Sequence, residues 1–196
     1  MIRERSLKIA LVVLWALVVV ILLGFGLKLL RDSVLAPDEA SSFFSFPRVT
    51  KAEERDVTIY FADENATGLV PEKRRARLGV DTATDALTIM SELMRGPQSA
   101  GYYSTIPSDT RLLNAYALGN TLVLDFTHEL QTNHPGGSTG ELLTVYSIVN
   151  TMTMNLHGIR RVKILVEGEE VETLAGHLDL SKALIPDAKW AEGQLR

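Results

Sequence analysis

An α+β fold, a mostly antiparallel sheet carrying two helices on one face, is what the element pattern of this sequence predicts. Residues 121–126 (TLVLDF) alternate as a strand, with Leu122, Leu124 and Phe126 on one face and Thr121, Val123 and Asp125 on the other. Residues 138–157 carry apolar Leu142, Val145, Val149 and Met152 at helical spacing. The candidates then follow in the order two strands, helix, two strands, helix, and a strand with a short hairpin.

The N-terminus is a different kind of sequence. Residues 9–27 (IALVVLWALVVVILLGFGL) are 19 apolar residues, about 28 Å as a helix and close to the hydrocarbon thickness of a bilayer. A transmembrane helix is therefore expected over residues 9–30, after a cytoplasmic stub of residues 1–8. Arg3, Arg5 and Lys8 against a single Glu4 keep that stub inside and send the remainder across the membrane. A cleaved signal peptide is the rival reading, but the run is longer than a signal's apolar region and Lys28 and Arg31 follow it. With no cysteine, a lipid thioether, disulfides, thiolate metal sites and a thiol nucleophile are all excluded. Beyond Arg31 lie fifteen of the 20 Lys and Arg and 23 of the 24 Asp and Glu. That outer part carries a net charge of about −8, which argues against nucleic acid as a partner.

Residues 31–55 hold Pro37, Pro47, a Ser-Ser pair and a run of charges with no useful period, and read as a linker. Phe43, Phe44 and Phe46 within it are suited either to the lipid headgroup region or to docking on the domain. The domain is expected over residues 56–186, with a tail at 187–196. Residues 57–61 (VTIYF) form its first strand, and the Asp63 to Gly68 turn formers end it. Residues 69–78 (LVPEKRRARL) form the second, with Pro71 confining its start to an edge. Lys73, Arg74, Arg75 and Arg77 on it read as a charged edge that resists unwanted pairing, or as a patch for anionic polymer or lipid headgroups.

Residues 82–95 read as a helix capped by Thr82 and Asp85, with Ala86, Met90 and Leu93 on one face and Gly96-Pro97 as its stop. The loop at 98–110 is long, which suits an interaction role for Tyr102 and Tyr103. Residues 111–118 and 121–126 form a hairpin about Gly119-Asn120. Ser138 and Glu141 stand at capping-box spacing for the long helix. The preceding Gly136-Gly137 admits an anion-site reading, but phosphate-loop spacing is absent. Gly158 ends the helix, residues 162–166 form a strand, residues 167–170 turn, and residues 171–174 return as a short strand.

The chemistry-bearing residues form no motif. His128-Glu129 opens like HExxH, but Thr132 stands where the second histidine belongs. His134, His157 and His177 have no ligand spacing, so no metal or cofactor is predicted. Asp125, Glu129, Ser138 and Ser108 have no hydrolase spacing, and no Gly-x-Ser-x-Gly occurs. The reading is not an enzyme.

From about residue 57 to 184 the chain resembles the GerM (sporulation and spore germination) domain family. The resemblance rests on Ile59-Tyr60-Phe61-Ala62-Asp63, Leu69-Val70-Pro71-Glu72, Leu93-Met94-Arg95-Gly96-Pro97 and Tyr103-Ser104-Thr105-Ile106-Pro107. It continues through Leu122-Val123-Leu124-Asp125-Phe126, Gly136-Gly137-Ser138, Val166-Glu167-Gly168 and Leu174-Ala175-Gly176-His177-Leu178-Asp179-Leu180. It implies a two-layer αβ domain of the ring-building type, held outside the cytoplasmic membrane, with no established catalytic residues. In spore formers, related domains are associated with a trans-envelope assembly, and similar folds stack into rings. This chain departs from that pattern in having one copy and a membrane helix where a lipidated cysteine is common.

The expected function is a membrane-anchored extracytoplasmic scaffold or assembly module of the cell envelope, with self-association or envelope proteins as partners. Arg74, Arg75 and Arg77 facing Glu169, Glu170 and Glu172 of a neighbour would give a head-to-tail contact. A peptidoglycan or wall-polymer binding module using Tyr102 and Tyr103 is the alternative, and a cell-wall hydrolase a more distant one.

Overall fold

The computed structural model describes residues 20–25, 28 and 52–190, and the chain divides into Met1–Arg48 and Val49–Arg196. In the first part, residues 20–25 are helical and their apolar side chains are exposed. Among the described residues no helix is long and apolar enough to cross a membrane. The rest of the expected 9–30 span, the linker up to residue 51 with Phe43, Phe44 and Phe46, and residues 191–196 lie outside the described residues.

The second part begins with β1 (Glu53–Ala62) and β2 (Leu69–Leu78), an antiparallel ribbon in register from Glu53 opposite Leu78 to Ala62 opposite Leu69. The charges at 53–55 therefore belong to a strand and not to the linker. Alternation buries Val57, Ile59 and Phe61, because a strand sends every second side chain to the same face. Helix α1 (Thr82–Met94) follows and buries Ala86, Ile89, Met90 and Leu93. Its cap is not Thr82. Asp81 accepts from the Thr84 amide at 2.9 Å, while the Asp85 carboxylate reaches back to the Gly79 amide at 2.8 Å.

Next come β3 (Leu112–Leu118), β4 (Thr121–Phe126), the one-turn helix α2 (Glu129–Thr132), the long helix α3 (Ser138–Asn155), β5 (Arg161–Val166) and the two-residue β6 (Glu169–Glu170). These strands form a second sheet in the order β3-β4-β5-β6. The pairing is mostly antiparallel, as expected, with β4 and β5 parallel through the strand-helix-strand crossover of α3. The expected single sheet is corrected to two: the ribbon does not join the larger sheet, because α3 occupies the outer edge of β1. Asn155 accepts from the Thr58 amide at 2.8 Å and donates to the Thr58 carbonyl at 2.7 Å, and the Tyr60 amide donates to Thr151 Oγ1 at 3.1 Å. Tyr103 exchanges two 3.0 Å backbone bonds with Ala62 at the end of the same edge.

The expected return strand at 171–174 is likewise displaced. The turn is Glu167-Gly168, both at positive φ (53° and 78°) as a two-residue hairpin turn favours. The ladder ends at Glu170 because a carboxylate of α3 takes the amides of Leu174 and Ala175.

Helix α3 is the hub. The predicted stripe is buried at Val145, Val149 and Met152, whereas Leu142 is only half-buried beside the buried Leu143. The helix is in fact enclosed on several sides, with Thr144, Ser147, Asn150 and Thr151 also buried. These polar groups tie the helix to three segments, at Thr105, at Asp187 and at Tyr60 of β1. Thr144 donates to the Thr105 carbonyl at 2.7 Å, Ser147 Oγ lies 2.6 Å from Thr105 Oγ1, and Asn150 exchanges bonds with the Asp187 backbone. The second face of β4 is buried too, at Val123 and Asp125. Lys163, opposite Val123, donates there to the carbonyls of Leu180 and Ser181, so the C-terminal segment crosses that face.

Replacing Asn155 by Ala leaves both polar backbone groups of Thr58 without their partner. We expect a loss of about 1–3 kcal/mol in chemical denaturation, with faster hydrogen exchange at Thr58 than in β4. Equal protection at both sites would contradict this role.

Candidate interaction surface

Two buried carboxylates organise the loops that a partner would meet. Glu141 lies in the first turn of α3 and is wholly buried. It does not form the predicted capping box; the helix starts after Gly137 with no side-chain cap. Its Oε1 accepts from the Thr173 hydroxyl and from the amides of Leu174 and Ala175 at 2.8 and 2.9 Å. Its Oε2 accepts from the His177 amide at 2.8 Å and lies 3.2 Å from His177 Nδ1. An ionised carboxylate only accepts, so the Nδ1 of His177 carries the proton toward it. Burial alone would raise the pKa of Glu141, but these bonds outweigh it and hold it at about 2. The local sequence shows only an acid near a helix start, a place where capping explains it, so the long-range clasp left no signal there.

The second carboxylate is Glu72, whose oxygens accept from the Gln98 and Ser99 amides at 3.1 and 2.8 Å. Arg74 lies beside it, and its side chain is 3% exposed. It gives Nε and Nη2 to Glu72 at 2.7 and 2.6 Å, Nη1 to the carbonyl and carboxylate of Glu92, and Nη2 again to the Gly96 carbonyl. Its guanidinium also stacks over Phe61 at 5.0 Å. All five donors of the fork are thereby occupied. Arg74 is therefore no partner-binding cation, which corrects its place in the basic patch. The period of β2 carried the clue: Glu72 and Arg74 share a face with the buried Ala76 and Leu78.

Arg75 and Arg77 do face solvent, and Arg75 is met by Glu54 and Asp56 across the ribbon at 3.6 and 3.7 Å. Glu169 and Glu170 are exposed on β6, with Glu170 3.3 Å from Lys163. Tyr102 is half-buried against the core, while Tyr103 is 57% exposed on a backbone pinned to β1. A largely apolar groove of about 540 Å³ lies between α3 and the C-terminal segment, lined by Tyr60, Thr153, Met154, Ile159 and Ile185.

The residues of the hydrolase and metal readings are dispersed over the fold. Asp125 accepts from the Gly168 amide at 2.7 Å, and the carbonyl of Ser108 accepts from Asn133. Ser138 opens α3, and Glu129 stands 3.7 Å from the exposed His128. His134 accepts from the Gly136 amide at Nδ1 and meets Thr144 at Nε2; burial lowers its pKa and keeps it neutral. Among the described residues no group of three metal-ligating side chains is assembled.

The arrangement is thus one of loops clasped from beneath by buried charge, with tyrosine, arginine and glutamate left on the surface. The family described as Germane, sporulation and spore germination, matches residues 58–172, more than half of the chain. The chain belongs to the Germane family. The match begins within β1 and ends just beyond β6, before residues 173–177 that Glu141 holds. Among solved structures, it is similar to a candidate lipoprotein from Clostridium perfringens at 26% identity and a TM-score of 0.50, covering 67% of this chain and 87% of that one. It is also similar to the tandem GerMN domains of the sporulation protein GerM from Bacillus subtilis, at 18% identity and a TM-score of 0.53. That similarity covers 68% of this chain and 46% of the tandem protein, so a Germane domain of this kind spans about half of it. Among curated proteins, none matches the chain.

Proposed function

We propose that this Germane protein is a membrane-anchored, extracytoplasmic, non-catalytic assembly module of the bacterial cell envelope, with self-association or envelope proteins as its partners. The observation that carries the reading is that Asp125 and Glu141, two of the candidate catalytic carboxylates, are taken up in hydrogen bonds that hold loops, in a domain of a sporulation and germination family. The apolar run at 9–27, with positive charge before it, supports the anchor and its orientation. The exposed Arg75, Arg77, Glu169 and Glu170 remain available for a head-to-tail contact, now without Arg74. Tyr103, exposed on a fixed backbone, favours wall-polymer binding as the second reading.

Because the chain has no cysteine, single introduced cysteines report topology cleanly. In cells with the wall removed, Ser181→Cys is expected to react with a membrane-impermeant maleimide, and Ser6→Cys only after lysis. The reverse pattern would overturn the orientation. Retention on purified wall that vanishes in Tyr103→Ala would move the function to the second reading.

A further inference from the structure

We propose that the groove between α3 and the C-terminal segment binds an extended segment of an envelope-protein partner, an apolar side chain entering the groove and a carboxylate meeting Arg160. The inference rests on the assembly reading and gives it a further contact, of stated chemistry. Asn150 builds the groove by holding the backbone of Asp187 with two bonds of 3.2 and 3.1 Å, which fixes the C-terminal segment alongside α3. Met154 on one wall is 63% exposed and Ile185 on the other 61% exposed, with Tyr60 and Ile159 buried beside them. Apolar side chains gathered at the surface in this way mark a binding site, and about 540 Å³ is the volume of a ligand-binding cleft.

Charge selects the sign of the partner. Among the described residues Arg160 is the one charged residue lining the groove; it is exposed and has no ion-pair partner. From Leu142 to Val166, the stretch that supplies α3 and Arg160, there is no Asp or Glu, although 23 of the 24 in the chain lie beyond Arg31. The other wall, from Ser181 to Lys189, carries Lys182 and Lys189 against Asp187 alone. Charges are screened beyond about 8 Å at physiological ionic strength, so a ligand in the groove meets this local excess of cations and not the net negative charge of the domain.

Backbone geometry selects a peptide over a lipid chain. Leu184 and Val162 exchange two hydrogen bonds of 2.8 and 2.9 Å, so alternation turns the N–H and C=O of Ile185 away from β5. Neither finds a partner among the described residues. Hydrocarbon offers these groups nothing, whereas the main chain of an extended segment supplies both an acceptor and a donor.

The test uses the full chain in its own cells, with Met154→p-benzoylphenylalanine as a photoreactive probe. Irradiation is expected to attach it to one segment of an envelope protein, identified by sequencing the joined peptide. That segment should carry an Asp or Glu within about five residues of the attachment point, the reach of an extended chain along the groove. Arg160→Glu is expected to cut the yield at least about tenfold with an unchanged circular dichroism spectrum. Arg111→Glu, an exposed cation at the opposite end of β4, should leave the yield within about twofold. Exchanging the partner's acid for Lys should restore attachment to the Arg160→Glu chain. Attachment to lipid, to a second copy or to residues 191–196 overturns the proposal. So does no attachment, a segment without a carboxylate, or a yield indifferent to Arg160→Glu. Any of these leaves the assembly reading with its other contacts. A cytoplasmic domain in the topology experiment overturns that reading, and the groove is then still judged by whether attachment depends on Arg160.

Discussion

Replacing Glu141 by Ala is expected to destabilise the domain by about 3–5 kcal/mol, read from chemical denaturation at neutral pH. The size follows from what is left behind. The amides of Leu174, Ala175 and His177 and the hydroxyl of Thr173 all lose the same acceptor, a carboxylate that is itself wholly buried. Glu141→Gln is expected to lose nearly as much, although its shape is retained. An amide has one acceptor oxygen, so its NH2 group must face donors that the second carboxylate oxygen once satisfied.

The same group gives the domain an acid limit. Its folded pKa of about 2 lies below the ordinary 4.5, so the unfolded chain binds the proton more readily. The stabilisation is complete above about pH 4.5 and is lost as the pH falls toward about 2, a swing of about 3 kcal/mol. In Glu141→Gln, stability is expected to fall less steeply across that window. A Gln variant within about 1 kcal/mol of the parent at neutral pH, with the parent's acid slope, would show that the clasp is not what holds the 173–177 loop.

Much of the fold was legible because its signals are local. The residues of β2 and β4 and nearly all of α1 follow from alternation, from helical spacing and from Gly96-Pro97. The parallel pairing of β4 with β5 was also legible in principle, since a strand, an 18-residue helix and a strand make a crossover unit. What the residues do not display is the destination of side chains that act far along the chain. Asn155 closes the edge of β1 from a position 97 residues away, and Glu141 meets residues 32 to 36 positions on. Local rules give both a bland reading, a helix end and a helix cap. Arg74 on β2 is obscured for the opposite reason. Composition makes Arg74 look like its neighbours, whereas the period of the strand puts it with the core.

That difference makes Arg74 the site of the second large effect. Arg74→Met keeps most of the side-chain volume and removes the charge, leaving Glu72 and Glu92 without the cation between them; a loss of about 3–5 kcal/mol is expected. Burial pushes the Glu72 carboxyl up, but bonds from Ser99, Arg74 and Gln98 hold it below its ordinary range. Its contribution is therefore present at neutral pH and is lost as the pH falls below the carboxylate range. Removing the arginine also loosens the carboxylate that accepts the Gln98 and Ser99 amides, so hydrogen exchange at Ser99 should accelerate with the loss of stability. Arg75→Met is the control: its partners are exposed and 3.6–3.7 Å away, so it is expected to change stability by less than about 1 kcal/mol. Combining Arg74→Met with Glu72→Gln separates the two causes. If the arginine acts by neutralising Glu72, the pair should lose less than the sum of the single variants, by about 1–3 kcal/mol. Strict additivity would instead assign its effect to the carbonyls of Glu92 and Gly96 and to its contact with Phe61.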